Sequence, residues 1–208
     1  MNRLYSYVVV RDFGFAPNPF FGWCTLATCK PNIRRVAKAG DWVVGHGSVA
    51  RQRPAKLVYV MRVKEAPTFD DYWRDPRFLA KRPRFDGSTK QAFGDNIYHR
   101  EALDQPWLQE NSHHSNSDGT ANEANVDNDT QANRVLVAND FTYWGGTGPA
   151  IPDRFRALIA GRNHKSNFTP QLVDDFVDWA HSVGGPGCVG APLKWTQSPA
   201  GGRRRRAA

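Results

Sequence analysis

The chain has 208 residues, and its 28 lysines and arginines exceed its 20 acidic residues, which gives a formal net charge of +8 at pH 7. The hydrophobic fraction of 40% and the seven tryptophans exclude a disordered chain. No apolar run approaches the roughly 20 residues of a membrane span, and we predict neither a signal peptide nor a membrane anchor. The positive charge favours polyanionic partners such as nucleic acid.

Length and cysteine content predict how the chain is organised. A chain of this size is long enough for one hydrophobic core and short for two. We therefore predict a single domain over residues 1–198 and a disordered basic tail over residues 199–208, which holds four consecutive arginines. Three cysteines, an odd number, argue against a disulfide framework. We expect free thiols and a cytoplasmic location.

The first part of the chain carries strand and short-helix signals. The β-branched and aromatic stretch Leu4–Val10 predicts an opening strand. Pro31 at a first turn and Gly40 as a stop predict a short helix between them. Strands follow in "DWVVGHGS" and in Lys56–Glu65, where alternating apolar residues define one face, and a hairpin can join the two.

The remainder is less regular. The stretch from Thr68 to Leu79 predicts a helix broken at Pro76. Residues 111–133 contain one valine and no other large apolar residue, which predicts a mobile polar insertion. A strand in "RVLVANDFTYWGG" precedes helices in "IPDRFRALIAG" and "TPQLVDDFVDWAHSVGG".

The order of these elements predicts the fold class. Strand and helix do not alternate regularly, which argues against a doubly wound sheet. We predict an α+β fold, with a small curved mixed sheet or a barrel flanked by helices.

Two cysteines near the start of the predicted first helix are candidate nucleophiles. A reactive thiol needs a nearby cation or a helix start, and Cys29 directly precedes Lys30 and that helix. Cys24 lies five residues earlier and is the second candidate. The alternative is that both thiols are buried and unreactive. The candidate acid, base and proton-carrying residues of an enzyme are Asp12, Asp95 and His99.

Metal ligands are not indicated. The CxxxxC spacing of Cys24 and Cys29 lacks a second pair, and the histidines do not have zinc-finger spacing. His113 and His114 lie near Asp118, Asp127 and Asp129, but in a polar stretch where we expect all of them to be surface residues. We predict no metal site and no cofactor.

Many aromatic residues lie in or beside turns rich in glycine and proline, where core packing explains them less fully. Nucleobases are held by stacking on aromatic rings, worth about 1–3 kcal/mol per base, with polar groups reading the base edge. Core packing of half or more of these rings is the alternative. The candidate base-binding or nucleotide-binding residues are Phe20, Phe21, Trp23, Trp42, Asn96, Tyr98, Phe141 and Tyr143, and the candidate phosphate-binding residues are Arg34, Arg35, Arg162 and Lys165.

Several stretches resemble a known family. "YVVVRDFGFAPNPFFGWCTLATCKPNIRRVAKAGDWVVGHGS", "GDNIYHR", "VLVANDFTYWGG" with "IPDRF", and "GRNHK" are similar to the bacterial and phage nucleotide-modification-associated domain family, the second domain so named. The resemblance runs from Tyr7 to about Lys165. It implies a setting in which bases of DNA are modified. "KAGDWVVGHGS" more weakly resembles PUA-like barrels of the ASCH, EVE and YTH group, which hold a modified base.

Two functions follow as expectations. The first is recognition of a modified nucleobase or nucleotide in a DNA-modification or anti-phage setting, with DNA or a nucleotide and other proteins of the modification system as partners. The second is an enzyme that modifies a nucleobase or nucleotide with a cysteine nucleophile. An accessory protein-interaction role is a third possibility.

Overall fold

A computed structural model describes residues 2–48 and 55–196 of the chain. The strands are β1 (Leu4–Val8), β2 (Cys24–Leu26), β3 (Trp42–His46), β4 (Leu57–Arg62), β5 (Tyr98–His99), β6 (Leu108–Gln109), β7 (Leu136–Ala138), β8 (Asp140–Tyr143), β9 (His164–Lys165) and β10 (Gly187–Cys188). The helices are α1 (Pro31–Val36), α2 (Phe69–Arg74), α3 (Thr89–Ala92), α4 (Glu123–Thr130), α5 (Pro170–Ser182) and α6 (Leu193–Thr196), and 3-10 helices span Pro76–Lys81, Gly145–Thr147 and Asp153–Leu158.

A six-stranded mixed sheet organises the fold, with the strand order β10, β8, β4, β3, β1, β9. Strand β1 runs parallel to β3, and β3, β4 and β8 are antiparallel neighbours. The predicted α+β class with a mixed sheet is confirmed. The barrel form is not found, because the six strands do not close on themselves.

Helix α5 covers one face of this sheet. Its apolar side chains Val173, Phe176, Val177 and Ala180 are buried, as the helical spacing of the sequence predicts. They join a cluster that includes sheet residues and the 3-10 helix Asp153–Leu158. Thr169 caps the helix by accepting a hydrogen bond from the backbone of Leu172.

The opposite face is covered by α1 and by a second, two-stranded sheet of β2 and β7. Tyrosines of β1, β4 and β8 pack there against Cys24 and Leu26 of β2 and Ile33 of α1. A third apolar cluster joins α2, β5 and residues around β7. The loop between β2 and α1 therefore lies beside the carboxyl end of β1.

Two expectations about local structure change. "IPDRFRALIAG" forms a 3-10 helix over Asp153–Leu158 and not an α-helix, since its short apolar pattern and the flanking Pro152 and Gly161 leave room for only a few turns. The predicted polar insertion, residues 111–133, contains helix α4, which Asn122 caps and which carries the fully buried Asp129. The mobility of this segment stays a prediction.

The predicted basic tail, residues 199–208, and the predicted hairpin turn at residues 49–54 lie outside the described residues. In the described ranges, no helix is long and apolar enough to cross a membrane.

The backbone around Gly148 leaves no room for a side chain at this position. The chain passes there beside the start of β4, where the backbone N–H of Leu57 donates to the carbonyl of Pro149 at 2.9 Å. A Cβ at Gly148 would overlap the carbonyl oxygen of Leu57, which is backbone and has no freedom to move aside.

We therefore expect Gly148→Ala to lower the free energy of unfolding by about 3 kcal/mol or more, the upper range for overpacking. Urea denaturation measures the change. Gly161→Ala is the matched control, since a Cβ there meets nothing within 4 Å, and it is expected to unfold at the wild-type urea concentration. Equal midpoints for the two variants would contradict the packing of this crossing.

Candidate active site

An open cleft lies at the carboxyl end of β1, beside the loop between β2 and α1. Its volume is about 920 Å³, within the range of small-molecule sites. Its walls come from five parts of the chain: the end of β1 with the residues that follow it, the residues from Cys29 to Ile33, the segment around His113, helix α4 with Gln131, and Asn163 with His164. Ligands of open sheets commonly bind beyond the carboxyl ends of parallel strands, and β1 is parallel to β3.

Cys29 is held in the wall of this cleft in an unusual backbone conformation. Its φ angle is 58° and that of Lys30 is 44°, both in the left-handed region that non-glycine residues rarely adopt. Hydrogen bonds on both sides fix this geometry: the Cys29 N–H donates to Oδ1 of Asp129 at 2.7 Å, and its carbonyl accepts from Nε of Arg34 at 2.9 Å. Such strain concentrates at functional sites because surrounding contacts must maintain it.

The Cys29 thiol faces a histidine that is itself oriented by a carboxylate. Sγ of Cys29 lies 3.7 Å from Nε2 of His114, and Nδ1 of His114 lies 2.9 Å from Oδ2 of Asp129. The thiol, a candidate nucleophile, thus contacts the imidazole, a candidate base, and the imidazole in turn contacts the carboxylate that orients it. This is the geometric arrangement of covalent catalysis in which a base activates the nucleophile and a third group fixes the tautomer of the base.

Asp129 is fully buried and satisfied by several donors. Besides Cys29 and His114, its carboxylate accepts hydrogen bonds from the hydroxyl of Tyr98 at 3.0 Å and from the side-chain amide of Asn128 at 3.1 Å. A buried carboxylate with this number of partners is held in a single orientation. Burial and the neighbouring carboxylate raise the pKa of Tyr98, so its hydroxyl remains a donor.

Arg34 fastens the loop that carries Cys29 to the end of α4. Its guanidinium is buried and donates to the backbone carbonyls of Cys29, Asp129, Ala132 and Arg134. Three of these four bonds connect residues 95 to 100 positions apart. The distance between the thiol and His114 is therefore set by Arg34 and Asp129 together.

The pKa values of the two neighbouring histidines are shifted in opposite directions. Burial by itself would lower the pKa of His114, but the hydrogen bonds to Asp129 and Cys29 outweigh it and raise this pKa to about 9. Burial, with the positive neighbours His114 and Arg11, lowers the pKa of His113 to about 4. His114 therefore presents a positively charged ring to Sγ of Cys29, whereas the ring of His113 in the cleft wall is neutral.

Of the five predicted catalytic residues, the structure brings only Cys29 to the cleft. Cys24 is fully buried in the core, and burial raises its pKa. Asp12 accepts hydrogen bonds from Tyr143, Gly14 and Leu193, and so joins strand β8 to the C-terminal segment. The other two are held elsewhere: Asp95 accepts from Thr25 and Tyr72, and His99 stacks on Trp73 and pairs with Glu110.

The residues predicted to hold a base do not line the cleft. Phe20 stacks on Trp195, Trp42 packs against His181 of α5, and Trp23 packs against Phe78. Phe21 is 36% exposed at a turn with positive φ. The rest are buried: Asn96 donates to the carbonyls of Tyr72 and Phe78, Phe141 lies in the core, Tyr143 binds Asp12, and Tyr98 orients Asp129.

The residues predicted to hold phosphate are also dispersed. Arg34 has the framework role described above. Arg35 is exposed on α1 and donates to the carbonyl of Gln131, while Lys165 on β9 donates to the carbonyl of Ala157. Arg162 is exposed in the turn before β9. The arginine and lysine side chains described in the lining of the cleft are Arg11 and Lys30.

His114 and Asp129 are the functional candidates that the sequence analysis did not select. The expectation that they are surface residues is wrong, because Asp129 is fully buried and His114 largely so. The sequence held one signal: Val126, the single large apolar residue of this segment, follows the helix cap Asn122 by four residues, and in the structure it packs against the third apolar cluster. Among residues 2–48 and 55–196, no three His, Cys, Asp or Glu side chains are placed to hold a metal ion.

Comparison with known families places this geometry in context. The family described as nucleotide modification associated domain 2 matches residues 1–199. The chain belongs to that family. The family membership predicted from the sequence is confirmed, and the family's description is consistent with a nucleotide-modification context. No curated protein and no solved structure matches this member of the family.

The ion pair between His114 and Asp129 gives a pH-dependent contribution to stability. The folded-state pKa of about 9 lies above the value near 6.5 of an unfolded histidine, so this contribution is complete below about pH 6.5 and is lost as the pH rises through 9. In Asp129→Asn, burial remains and the attraction is removed. We expect the pKa of His114 to fall below 6.5, as measured by NMR titration of its ring protons.

The corresponding difference in free energy of unfolding between wild type and Asp129→Asn is expected to decrease by on the order of 3 kcal/mol between pH 6 and pH 9.5. Asp127→Asn, on the exposed side of the same helix, is the control and should leave the titration of His114 unchanged. A pKa of His114 that stays near 9 in Asp129→Asn would contradict the assignment.

Thiol reactivity provides a second test. Cys29 is half-buried beside His114, Cys24 is buried and Cys188 is exposed. We expect iodoacetamide at pH 7 to label Cys29 and Cys188 but not Cys24 in the folded protein. His114→Asn should slow the labelling of Cys29 at least about tenfold, since the imidazole that faces the thiol and can exchange its proton is lost. Labelling of Cys188 serves as the internal control, and equal slowing at both sites would indicate a general structural effect.

Proposed function

We propose that the protein is an enzyme that modifies a nucleobase or nucleotide by covalent catalysis, with Cys29 as the nucleophile. One observation carries the proposal: Sγ of Cys29, the imidazole of His114 and the carboxylate of Asp129 stand in series, at 3.7 Å and 2.9 Å, in the wall of an open cleft. The family membership supports a nucleobase or nucleotide as the class of substrate.

The reaction proposed is substitution at an electrophilic carbon of the base or of a group attached to it. The Cys29 thiolate attacks that carbon and forms a C–S bond, while the bond to the leaving group breaks and the leaving group takes a proton from the His114 imidazolium. The neutral imidazole then removes a proton from water or from another acceptor nucleophile. That nucleophile attacks the same carbon, the C–S bond breaks, and the thiolate and imidazolium are restored.

Asp129 acts as a positioning residue in this scheme. It fixes His114 with Nε2 towards the sulfur, and its negative charge stabilises the imidazolium. It also accepts the N–H of Cys29, so the same carboxylate maintains the strained backbone at the nucleophile. The separation between thiol and base is therefore set before a substrate binds, which lowers the cost of reaching the reactive geometry.

The second candidate function is binding of a modified base without catalysis. The aromatic rings that line the cleft favour this function. Phe13 stacks on Phe93 with ring centroids 5.5 Å apart, and His113 tilts against Phe13 at 4.5 Å. Phe13 and His113 both line the cleft, and such rings suit a flat ligand. The residues of this wall differ from those that the sequence predicted for base binding.

The decisive experiment is mass spectrometry of DNA nucleosides and of the free nucleotide pool from cells that carry the complete modification system. We expect wild-type protein to change the amount of at least one nucleoside or nucleotide, and Cys29→Ser to abolish the change. Asp129→Asn should reduce it by roughly 100-fold or more, given the usual effect of an orienting carboxylate. Cys188→Ser is the matched control and should behave as wild type.

Retention of full modification by Cys29→Ser would refute the thiol mechanism. If no nucleoside changes with the wild-type protein while both it and Cys29→Ser bind nucleic acid equally, recognition is the function.

A further inference from the structure

A second, smaller cavity adjoins the cleft on the far side of His113. Its volume is about 380 Å³. It is lined by Phe85, Ala92 and Phe93, and by the amide and hydroxyl residues Asn111, Ser112, Ser115, Asn116 and Ser117. Nothing in the thiol chemistry uses this cavity, since neither Cys29 nor His114 faces it.

The wall between the two cavities consists of aromatic rings. His113 lines both cavities, Phe13 lines the cleft and Phe93 lines the second cavity. The ring centroid of His113 is 4.5 Å from that of Phe13 and 5.3 Å from that of Phe93. Each side of this partition thus presents a ring surface to a ligand, and the low pKa of His113 keeps the partition uncharged at neutral pH.

The charges around the partition suit an anionic linking group. No residue described as lining either cavity is acidic. Arg11 is exposed at the rim of the cleft, close enough to His113 for its charge to lower the pKa of that histidine. In the described parts of the chain no hydrogen bond or ion pair occupies its guanidinium, so it is free to bind a phosphate.

The second cavity itself has the chemistry of a nucleoside site. Phe85 is 52% exposed and offers a ring face, while the serine and asparagine side chains donate and accept neutral hydrogen bonds. Cationic groups are absent from its described lining, so a phosphate is not favoured inside it. A base or sugar, with edges that both donate and accept, matches this lining.

We propose that the two cavities form one site for a phosphodiester-linked ligand of at least two nucleotides, with the reacting nucleotide in the cleft, the linking phosphate at Arg11 and the adjoining nucleoside in the second cavity. The proposal rests on the proposed function for the identity of the reacting unit. It assigns the substrate to single-stranded nucleic acid and not to free mononucleotides.

Binding measured by calorimetry tests the proposal without any chemistry, because Cys29→Ser protein is used throughout. The probes are the four deoxynucleoside 5′-monophosphates and the corresponding 5′-phosphorylated homodinucleotides. We expect at least one dinucleotide to bind about tenfold or more tightly than its mononucleotide, the usual effect of one additional stacked base.

Two variants test which residues cause the tighter binding of the dinucleotide. In the Cys29→Ser background, Phe85→Ala and Arg11→Gln should each weaken the dinucleotide about tenfold, and Phe85→Ala should leave the mononucleotide unchanged. Arg11→Gln should also reduce the dependence of binding on salt by about one phosphate contact. The matched controls are Leu103→Ala and Arg156→Gln, exposed residues that line neither cavity, and both should bind as the parent protein does.

The result of this binding experiment does not depend on whether Cys29 is catalytic. If no dinucleotide binds more tightly than its mononucleotide, the two-cavity site is refuted, whether or not Cys29 is catalytic. If dinucleotides bind more tightly but Phe85→Ala and Arg11→Gln have no effect, the second nucleotide lies elsewhere and the proposal is also refuted. A length preference that depends on both residues supports it even if cells show no thiol-dependent modification.

Discussion

The buried carboxylate of Asp129 is the interaction on which the candidate site depends. It accepts hydrogen bonds from the Cys29 backbone and from the side chains of Tyr98 and His114, and so joins three segments that are far apart in the sequence. Hydrogen bonds to a charged group contribute about 1.5–3 kcal/mol each, and burying such a group without them is costly. The carboxylate and its donors therefore form together or not at all.

Arg34 completes this framework through hydrogen bonds to backbone carbonyls. It lies on α1, one turn after Cys29, and binds carbonyls on both sides of the site. These hydrogen bonds to backbone carbonyls, the carbonyl of Asp129 among them, hold the loop and α4 together as one unit. The left-handed backbone of Cys29 is maintained by this unit, because its N–H is bound by Asp129 and its carbonyl by Arg34.

This construction accounts for how a loosely patterned chain produces a defined cleft. The sheet and α5 supply the hydrophobic stability, and the carboxyl end of β1 supplies one wall. The reactive groups come from loops and from the short helix α4, which have little apolar area of their own and are fastened by polar contacts. Membership in the family of nucleotide modification associated domain 2 is consistent with a cleft of this size, without acidic lining and with aromatic walls.

The sequence by itself determined the α+β class, the main strands, helix α5 and the family, because these depend on local apolar periodicity, caps and long stretches of similarity. It also indicated Cys29, from its position before Lys30 and α1. Only the tertiary structure decided that Cys24 is buried in the core and that Asp12, Asp95 and His99 serve other contacts.

The pairing of Cys29 with His114 and Asp129 likewise required the tertiary structure. These residues are 85 and 100 positions apart from the cysteine, and the polar composition around them resembles that of a solvated segment. Composition reports the average environment of a stretch, whereas a buried carboxylate is stabilised by a few specific donors from distant segments. Such convergence leaves no periodic signal in the sequence, and it is decided when the chain folds.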